Sequence, residues 1–451
     1  MKMNAPENDA SRCCGAAPVC GAGLPEAERI WRLGPGGSAA PAGWSFALGP
    51  DDALAPGAGP LIEGAPDDVD VVIADDLTRG RADALRLKPC HDPLLLERID
   101  YAGRAVFFRA SALGAEARSA LEGGAAPSGL IRPDHRVAHL PYPAAILAPT
   151  DAAPAPPPLR SALGPVAAII PNRDSPRLIR AALQAVLDET EEPAPVAVVI
   201  DNGSTDPETL TLYESIRANP RIRIEMNPAP FNFAAMVNRG AALARAEFSE
   251  VAAFLLLNND IEAPAPDWLR PMAETLAAPG VGVVGAKLLF ADRTIQHAGV
   301  IVGHGGVAGH DLKSAPEDAP GLCGRMAAPH LREAVTAAAM LIRTEVWDTL
   351  GGFDASAFPV AFNDVDFCLR AGAAGWRVAL EPRAALIHHE GVSRRRPFSL
   401  TRFVKHQRER TMLRFRHHTI GRIDRFESPW RDPERLTPVF RMLKNLPPMR
   451  F

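Results

Sequence analysis

Three short segments place polar side chains directly after apolar runs. Pro171-Asn172-Arg173-Asp174 follows VAAII, Asp201-Asn202-Gly203-Ser204-Thr205-Asp206 follows VAVVI, and Asn258-Asn259-Asp260-Ile261-Glu262 follows VAAFLLL. Each carries a carboxylate. A hard divalent cation such as Mg²⁺ or Mn²⁺ takes oxygen ligands, usually one or two carboxylates completed by substrate phosphates. Asp, Asn and Ser are also ordinary turn and cap residues, and any one of these segments alone reads as a turn. The sharper reading of Asn258 to Asp260 is a hold on a metal–diphosphate. The plainer one is an Asx-turn with Asp260 capping the next segment of chain.

Two later clusters add titratable groups. In FNDVDFCLRAGAAGW a helix starts at Asn363, with Val365, Cys368 and Leu369 on one face and Gly372 or Gly375 near its end. Asp364 and Asp366 fall in its first turn, where the helix dipole favours ionised carboxylates, and Asp366 stands four residues before Arg370. Helix chemistry alone therefore accounts for both acids. His388 and His389 precede Ser393 in HHEGVSR. His297, His304 and His310 read as packed or capping residues.

The apolar runs must position these groups. VAAII, VAVVI and VAAFLLL are short and continuous, the pattern of strands buried on both faces in a parallel sheet. A helix after the first is predicted from Ser175 as N-cap and Pro176, burying Leu178, Ala182, Leu183, Val186 and Leu187. A second is predicted from Asp206 and Pro207, with Leu210, Tyr213 and Ile216 inward. Strand, capped helix and strand in this order predict right-handed βαβ units in a doubly wound sheet. Such sheets bind ligands at the carboxyl ends of their strands, which sets the three polar segments along one rim.

The 451 residues, 47% hydrophobic and 23% charged, suffice for a large core and two domains with tails. A net charge of -4 argues against a chain-wide nucleic-acid footprint. Six cysteines without C-x-x-C spacing argue against a disulfide framework or zinc site and for a reducing compartment. The N-terminus lacks the apolar core of a signal peptide, and no run reaches the roughly 20 apolar residues of a bilayer span. The organisation read from composition is an irregular Ala/Gly/Pro segment over 1–60, a small α/β module over 61–150, a Pro/Ala linker over 151–163, a larger α/β domain over 164–396 and a basic segment over 397–451.

VAAIIPNRD, VVIDNGSTD, PFNFAAMVNRGAALARAEF, FLLLNNDIE, GVVGAKLLFADRTIQHAGV, GGFDASAFPVAFNDVDFCLRAGAAGWRV and HHEGVSR occur in this order over about residues 164 to 396. The ordered set resembles family 2 glycosyltransferases of GT-A fold, most of all the bacterial branch that builds cell-surface polysaccharides, with its rhamnosyltransferase-like members. The resemblance implies a nucleotide-sugar donor and a saccharide or lipid-linked saccharide acceptor. It implies nucleotide contacts from Pro171, Asn172, Asp201 and Asn258. Asn258-Asn259-Asp260 occupies the place of the family's D-x-D metal motif, with only its last position acidic. Asp260 and His388 would hold Mg²⁺ or Mn²⁺, His389 being the alternative by one residue of register. Asp364 falls where the family carries its general base, in a motif usually written with Glu where this chain has Asn363. Asp366 is a second acid of the same motif. Lys287 and Gln296-His297 match family positions without an assigned role. The implied reaction is a single displacement with inversion.

The module over 61–150 is similar to the second half of another such domain, so it reads as truncated and catalytically inactive, with Asp75 and Asp76 as relics. The C-terminal segment, rich in Arg, is either a solvated charged face or, through Phe403, Met412, Leu413 and Phe415, an amphipathic helix on an anionic membrane leaflet. The expected location is cytoplasmic, with peripheral contact at the inner face of the cell membrane and no nucleic-acid partner. A noncatalytic sugar-nucleotide-binding scaffold remains the rival, supported by Asn258 and Asn363. A nucleotidyltransferase would need a Gly-rich, basic triphosphate loop after its first strand, and PNRDSP is not one.

Overall fold

The computed structural model describes residues 41–49, 51–78, 85–148, 163–188, 190, 195–389, 400–430 and 449–450. The expectations for residues 1–40 and for all of the linker except Leu163 lie outside these. The main sheet runs in the order Ile261–Glu262, Arg377–His388, Val281–Leu289, Ala339–Arg343, Ala253–Leu257, Val166–Asn172, Pro195–Asp201, Ile222–Met226. The last four strands are mutually parallel, and Ala339–Arg343 inserts antiparallel between the two halves.

Each apolar run is buried on both faces. Ala167, Ile169, Phe254 and Leu256 enter one core layer, while Val166, Ala168, Ile170, Leu255 and Leu257 enter the other. This period-two split explains why the strands read as continuously apolar. Helix Pro176–Leu187 covers one face, with Ile179 in place of the expected Leu178 among its fully buried residues. In helix Pro207–Ile216 Tyr213 is buried as expected, but the expected inward Leu210 is 40% exposed and Leu212 is buried instead. Helix Phe233–Glu247 covers the other face and packs tightly at Gly240, where a Cβ would collide with Ile169 Cγ2.

The N-terminal module reproduces half of this architecture. Its sheet sets Val71–Thr78 between an antiparallel neighbour, Val106–Arg109, and a parallel one, Val137–Leu147. The main sheet likewise sets Val281–Leu289 between antiparallel Ala339–Arg343 and parallel Arg377–His388. Both parallel pairs carry an irregularity at the same point. Ala74 pairs with Leu140 but Asp75 with Pro143, as Ala286 pairs with Glu381 but Lys287 with Ala385. Asp75 and Asp76 are fully buried, paired with His139 at 2.9 Å and Lys88 at 2.7 Å. The module's sheet also reaches back upstream of residue 61, because Trp44–Ser45 pairs with Val106–Arg109 and Ala53–Leu54 with Val137–Leu147.

The module is docked on the main domain. Asp92 Oδ2 accepts from Leu331 N at 2.8 Å, Cys323 Sγ donates to Leu87 O, and Trp430 Nε1 donates to Pro141 O at 3.2 Å. The C-terminal helix Leu400–His417 buries Glu409 and Leu413 against the main domain, with Met412 packed beside them. Of the four apolar residues expected on a membrane face, Met412 and Leu413 therefore point inward, and Phe403 and Phe415 are exposed. Their spacing does not put all four on one face. Among the described residues no helix is long and apolar enough to cross a membrane.

Candidate active site

The in-register parallel strands bring the first two polar segments together, Asn172 being opposite Asp201. The third joins them through a side-chain bond, Asn259 Nδ2 to Asn172 Oδ1 at 2.7 Å. Asn172 Nδ2 in turn donates to the Tyr213 hydroxyl at 2.6 Å, and that hydroxyl donates to Asp201 Oδ2 at 2.6 Å. Ser204 completes the shell of Asp201 through its backbone N–H at 2.6 Å and its Oγ at 2.5 Å. Burial and the Asp201 carboxylate both push the Tyr213 phenol well up, so it stays a donor. Asp201 itself is sealed from solvent. In this conformation it acts on its surroundings through Ser204 and Tyr213, while Pro171, Asn258 and Asn259 are partly exposed and Arg173, Asp174 and Thr205 are exposed.

At the other end of the rim, the two-residue strand Ile261–Glu262 pairs antiparallel with the end of Arg377–His388, setting Ile261 opposite His388. This register brings Asp260 Oδ1 to 3.1 Å from His388 Nε2, and both side chains are about nine-tenths buried. Asn258 Nδ2 lies 3.2 Å from the same nitrogen. His389, the alternative by one residue, turns outward and pairs with Glu262 at 2.8 Å. Two protein ligands of this kind fit Mg²⁺ or Mn²⁺, whose remaining positions go to diphosphate oxygens and water. Among the described residues no group of three or more His, Cys, Asp or Glu side chains forms a closed cage.

Asp364 reaches the same region from the opposite side. Its Oδ2 accepts from Ala337 N at 3.1 Å, and the next carbonyl, Ala338 O, accepts from Asn258 N at 2.9 Å. Two consecutive residues thus connect the helix Asn363–Ala373 to the rim. Phe362, in the left-handed conformation at φ 61°, turns the chain into that helix. Asp364 is partly exposed while Asn363 is buried. Asn363 Nδ2 donates to Val360 O at 3.1 Å, so the amide standing where the family has Glu holds the preceding loop.

The family model for glycosyltransferase like family 2 matches residues 164–416, more than half of the chain. The chain belongs to glycosyltransferase family 2. An uncharacterized protein, y4gI, of Sinorhizobium fredii (strain NBRC 101917 / NGR234) is 40% identical over 230 residues, covering 51% of this chain and 25% of that protein. The O-antigen biosynthesis protein RfbC of Myxococcus xanthus is 38% identical over 237 residues, covering 51% of this chain and 18% of that protein. The chain thus spans a quarter or less of the length of these relatives. Among solved structures it is similar to GalNAc-T7 with UDP, GalNAc and Mn²⁺ (16% identity, TM-score 0.41, covering 51% of this chain and 45% of that one). It is also similar to the mannosyltransferase PcManGT from Pyrobaculum calidifontis with GDP-Man and Mn²⁺ (17% identity, TM-score 0.40, covering 59% and 69%).

Within this family 2 domain the two motif acids have separate environments. Asp366 is fully buried and bonded to Arg370 Nε at 2.8 Å, Arg416 Nη1 at 3.0 Å and His417 Nε2 at 2.8 Å. Burial opposes its ionisation, but the bonds from His417, Arg370 and Arg416 hold its carboxyl below the usual range. Two of its partners, Arg416 and His417, fasten the C-terminal helix to it. Several residues around the site carried no signal in spacing or composition. Tyr213 read only as a core residue, and Glu409 sat unremarked in a charged run although it accepts from Val360 N and Ala361 N of the loop before Asp364. Gln296 and His297 stood inside a quoted motif without a role. In the structure His297 Nε2 accepts from Thr336 N at 3.4 Å, beside the residues that contact Asp364 and Asn258, and burial keeps its imidazole neutral.

Proposed function

We propose that this family 2 chain transfers a glycosyl group from a nucleoside diphosphate sugar to a saccharide hydroxyl, with inversion at the anomeric carbon. The observation that supports this is the chain of bonds joining the acids: Asp260 pairs with His388, Asn258 bonds His388 through its amide and Ala338 O through its backbone N–H, and Asp364 accepts from the adjacent Ala337 N. Asp260 and His388 would hold Mg²⁺ or Mn²⁺, which when bound neutralises charge on the departing diphosphate. Pro171, Asn172 and Asn258 line the donor side, with Asp201 buttressing them. Asp364 Oδ takes the proton of the acceptor hydroxyl, whose oxygen forms the new bond to the anomeric carbon as the bond to the diphosphate breaks. Holding both substrates in one crevice supplies the proximity that the displacement needs.

The acceptor class we favour is a cell-surface saccharide, free or lipid-linked, in line with the role named for the Myxococcus relative. A peripheral contact with an anionic membrane accompanies it. The surface for that contact is the exposed apolar stripe Leu400, Phe403 and Val404, flanked by exposed Arg402 and Lys405.

The deciding experiment measures nucleoside diphosphate release from a panel of sugar nucleotides, with and without Mn²⁺ or Mg²⁺, for wild type, Asp364→Asn and Asp260→Ala. The expected result is metal-dependent turnover lost in both variants, with an anomeric product of opposite configuration. Metal-dependent donor binding with no turnover, even with acceptor extracts present, would instead establish the noncatalytic scaffold, the reading to which Asn258 and Asn363 lend support.

A further inference from the structure

We propose that Gln296 is a positioning residue that fixes His388 in the ring orientation and tautomer required of a ligand. The inference rests on reading Asp260 and His388 as a metal pair. Gln296 reaches His388 from a separate strand, Ile295–His297, which pairs antiparallel with Val281–Leu289. The pairing shifts there, Leu288 facing His297 and Leu289 facing Ile295, so Gln296 is the extra residue of a bulge. Bulges re-aim a side chain that a regular strand would send elsewhere. Here the amide turns inward, 3% exposed, and brackets His388.

The bonding pattern leaves one assignment. The amide Nε2 lies 3.4 Å from the backbone carbonyl of His388, and a carbonyl only accepts, so the nitrogen faces it. The amide Oε1 then faces His388 Nδ1 at 2.6 Å. An amide oxygen also only accepts, so Nδ1 carries the proton and donates. In the neutral ring this leaves Nε2 with its lone pair, directed at Asp260 Oδ1 3.1 Å away and at the Asn258 amide N–H₂. Two acceptors at that separation repel unless a proton on Nε2 or a metal cation lies between them. Metal-bound histidines are held in the same way, by an acceptor on the far ring nitrogen, and losing that acceptor typically costs 10–100-fold in metal affinity.

The test uses the full chain with ¹⁵N-labelled histidine. Long-range ¹H–¹⁵N correlation spectra of the metal-free protein, with His388 assigned by its disappearance in His388→Ala, report which ring nitrogen carries the proton. Mn²⁺ uptake is followed by electron paramagnetic resonance, alone and with UDP, GDP or dTDP. Wild type is expected to show Nδ1–H and an unprotonated Nε2. Gln296→Met, of similar length but without the acceptor, should shift the tautomer towards Nε2–H and weaken Mn²⁺ binding roughly 10–100-fold. Gln296→Glu keeps an acceptor for Nδ1–H and should retain most of the affinity, a rescue that a merely space-filling role would not produce. Wild type with Nε2–H, or a Gln296→Met protein with unchanged tautomer and affinity, overturns the positioning role alone. A wild type that takes up no Mn²⁺ under any of these conditions removes the metal reading and this inference with it.

Discussion

At the scale of single residues, neighbouring acids of one motif do different work, and their surroundings say which. Asp364 accepts only backbone N–H groups, from Ala337 on Oδ2 and from Val365 on Oδ1, and remains partly open, whereas Asp366 is enclosed by Arg370, Arg416 and His417. Asp366→Ala should therefore lower stability by about 3 kcal/mol, the low end for breaking a buried ion pair because Arg370 and Arg416 still reach solvent. Asp364→Asn should leave the melting temperature nearly unchanged. The pH dependence has the same bonds as its cause. The Asp366 carboxyl is held below its unfolded value, so its contribution is complete above roughly pH 4 and is lost as pH falls through the folded value. In urea titrations the gap between wild type and Asp366→Ala should be widest above pH 4 and narrow below it. A gap that stays constant down to pH 2.5 would count against the ionic account. Sequence spacing showed Asp366 and Arg370 as a helical pair but not Arg416 and His417, which come from a helix about 50 residues away. The pairing of Asp260 with His388 was legible through the family resemblance alone, since 128 positions separate them. The sealing of Asp201 was not legible, because it depends on where the Tyr213 hydroxyl points.

At the scale of elements, continuous apolar runs and Pro-initiated helices sufficed to place the parallel half of the sheet and the rim it carries. They could not place the antiparallel insertion of Ala339–Arg343, whose sequence, Ala-Met-Leu-Ile-Arg, has the same apolar look as its parallel neighbours. Strand direction is set by the connections, not by local composition. The C-terminal helix shows a similar limit. Its mean composition is basic and amphipathic, yet the residues it buries lie in its second half, Glu409 and Leu413, with Met412, Arg416 and His417 also in contact with the main domain. His406, in its first half, sits 5.5 Å from the Phe362 ring that precedes the helix Asn363–Ala373. The exposed stripe thus lies on the same helix as a residue that contacts Phe362, just before the helix that carries Asp364. Wild type should sediment with vesicles containing a third phosphatidylglycerol and not with neutral phosphatidylcholine, and binding should weaken with salt because charge contributes. Phe403→Glu combined with Val404→Glu, both on exposed positions, should abolish sedimentation while leaving the melting temperature and donor turnover in solution intact. Equal sedimentation of wild type and double variant would assign the contact to another surface or to none.

At the scale of the whole molecule, the N-terminal module repeats the strand order and the irregularity of the second half of the main sheet and, among the described residues, has no counterpart to the strands Val166–Asn172, Pro195–Asp201 and Ala253–Leu257 that carry the polar rim. Its patterned strands were readable from the sequence. Its extension back to Trp44 was not, because two strands of two residues each leave no periodicity in an Ala/Gly/Pro-rich stretch. The position in the main domain that carries His388 is filled by Leu147 if Val137 is matched to Val378, as the shared pairing pattern requires. Among the described residues the module thus has no counterpart to the pair of Asp260 and His388, and what it shares with the main domain is an interface. Trp430 is the clearest point of coupling: it packs with Leu87 of the module and Leu322 of the main domain, and its indole N–H meets Pro141 O. Truncating a buried tryptophan costs about 3–5 kcal/mol when the site cannot collapse, and here the loss falls on the interface, each side keeping its own core. Calorimetry of the wild type should show one cooperative transition for the described parts of both units. Trp430→Ala should split off a lower-temperature transition belonging to the module, while Mn²⁺-dependent donor binding at temperatures below it is unchanged. Two transitions already present in the wild type and unaffected by Trp430→Ala would mean that the module and the transferase domain fold and act as independent bodies, and that the acceptor has to be positioned without the module's help.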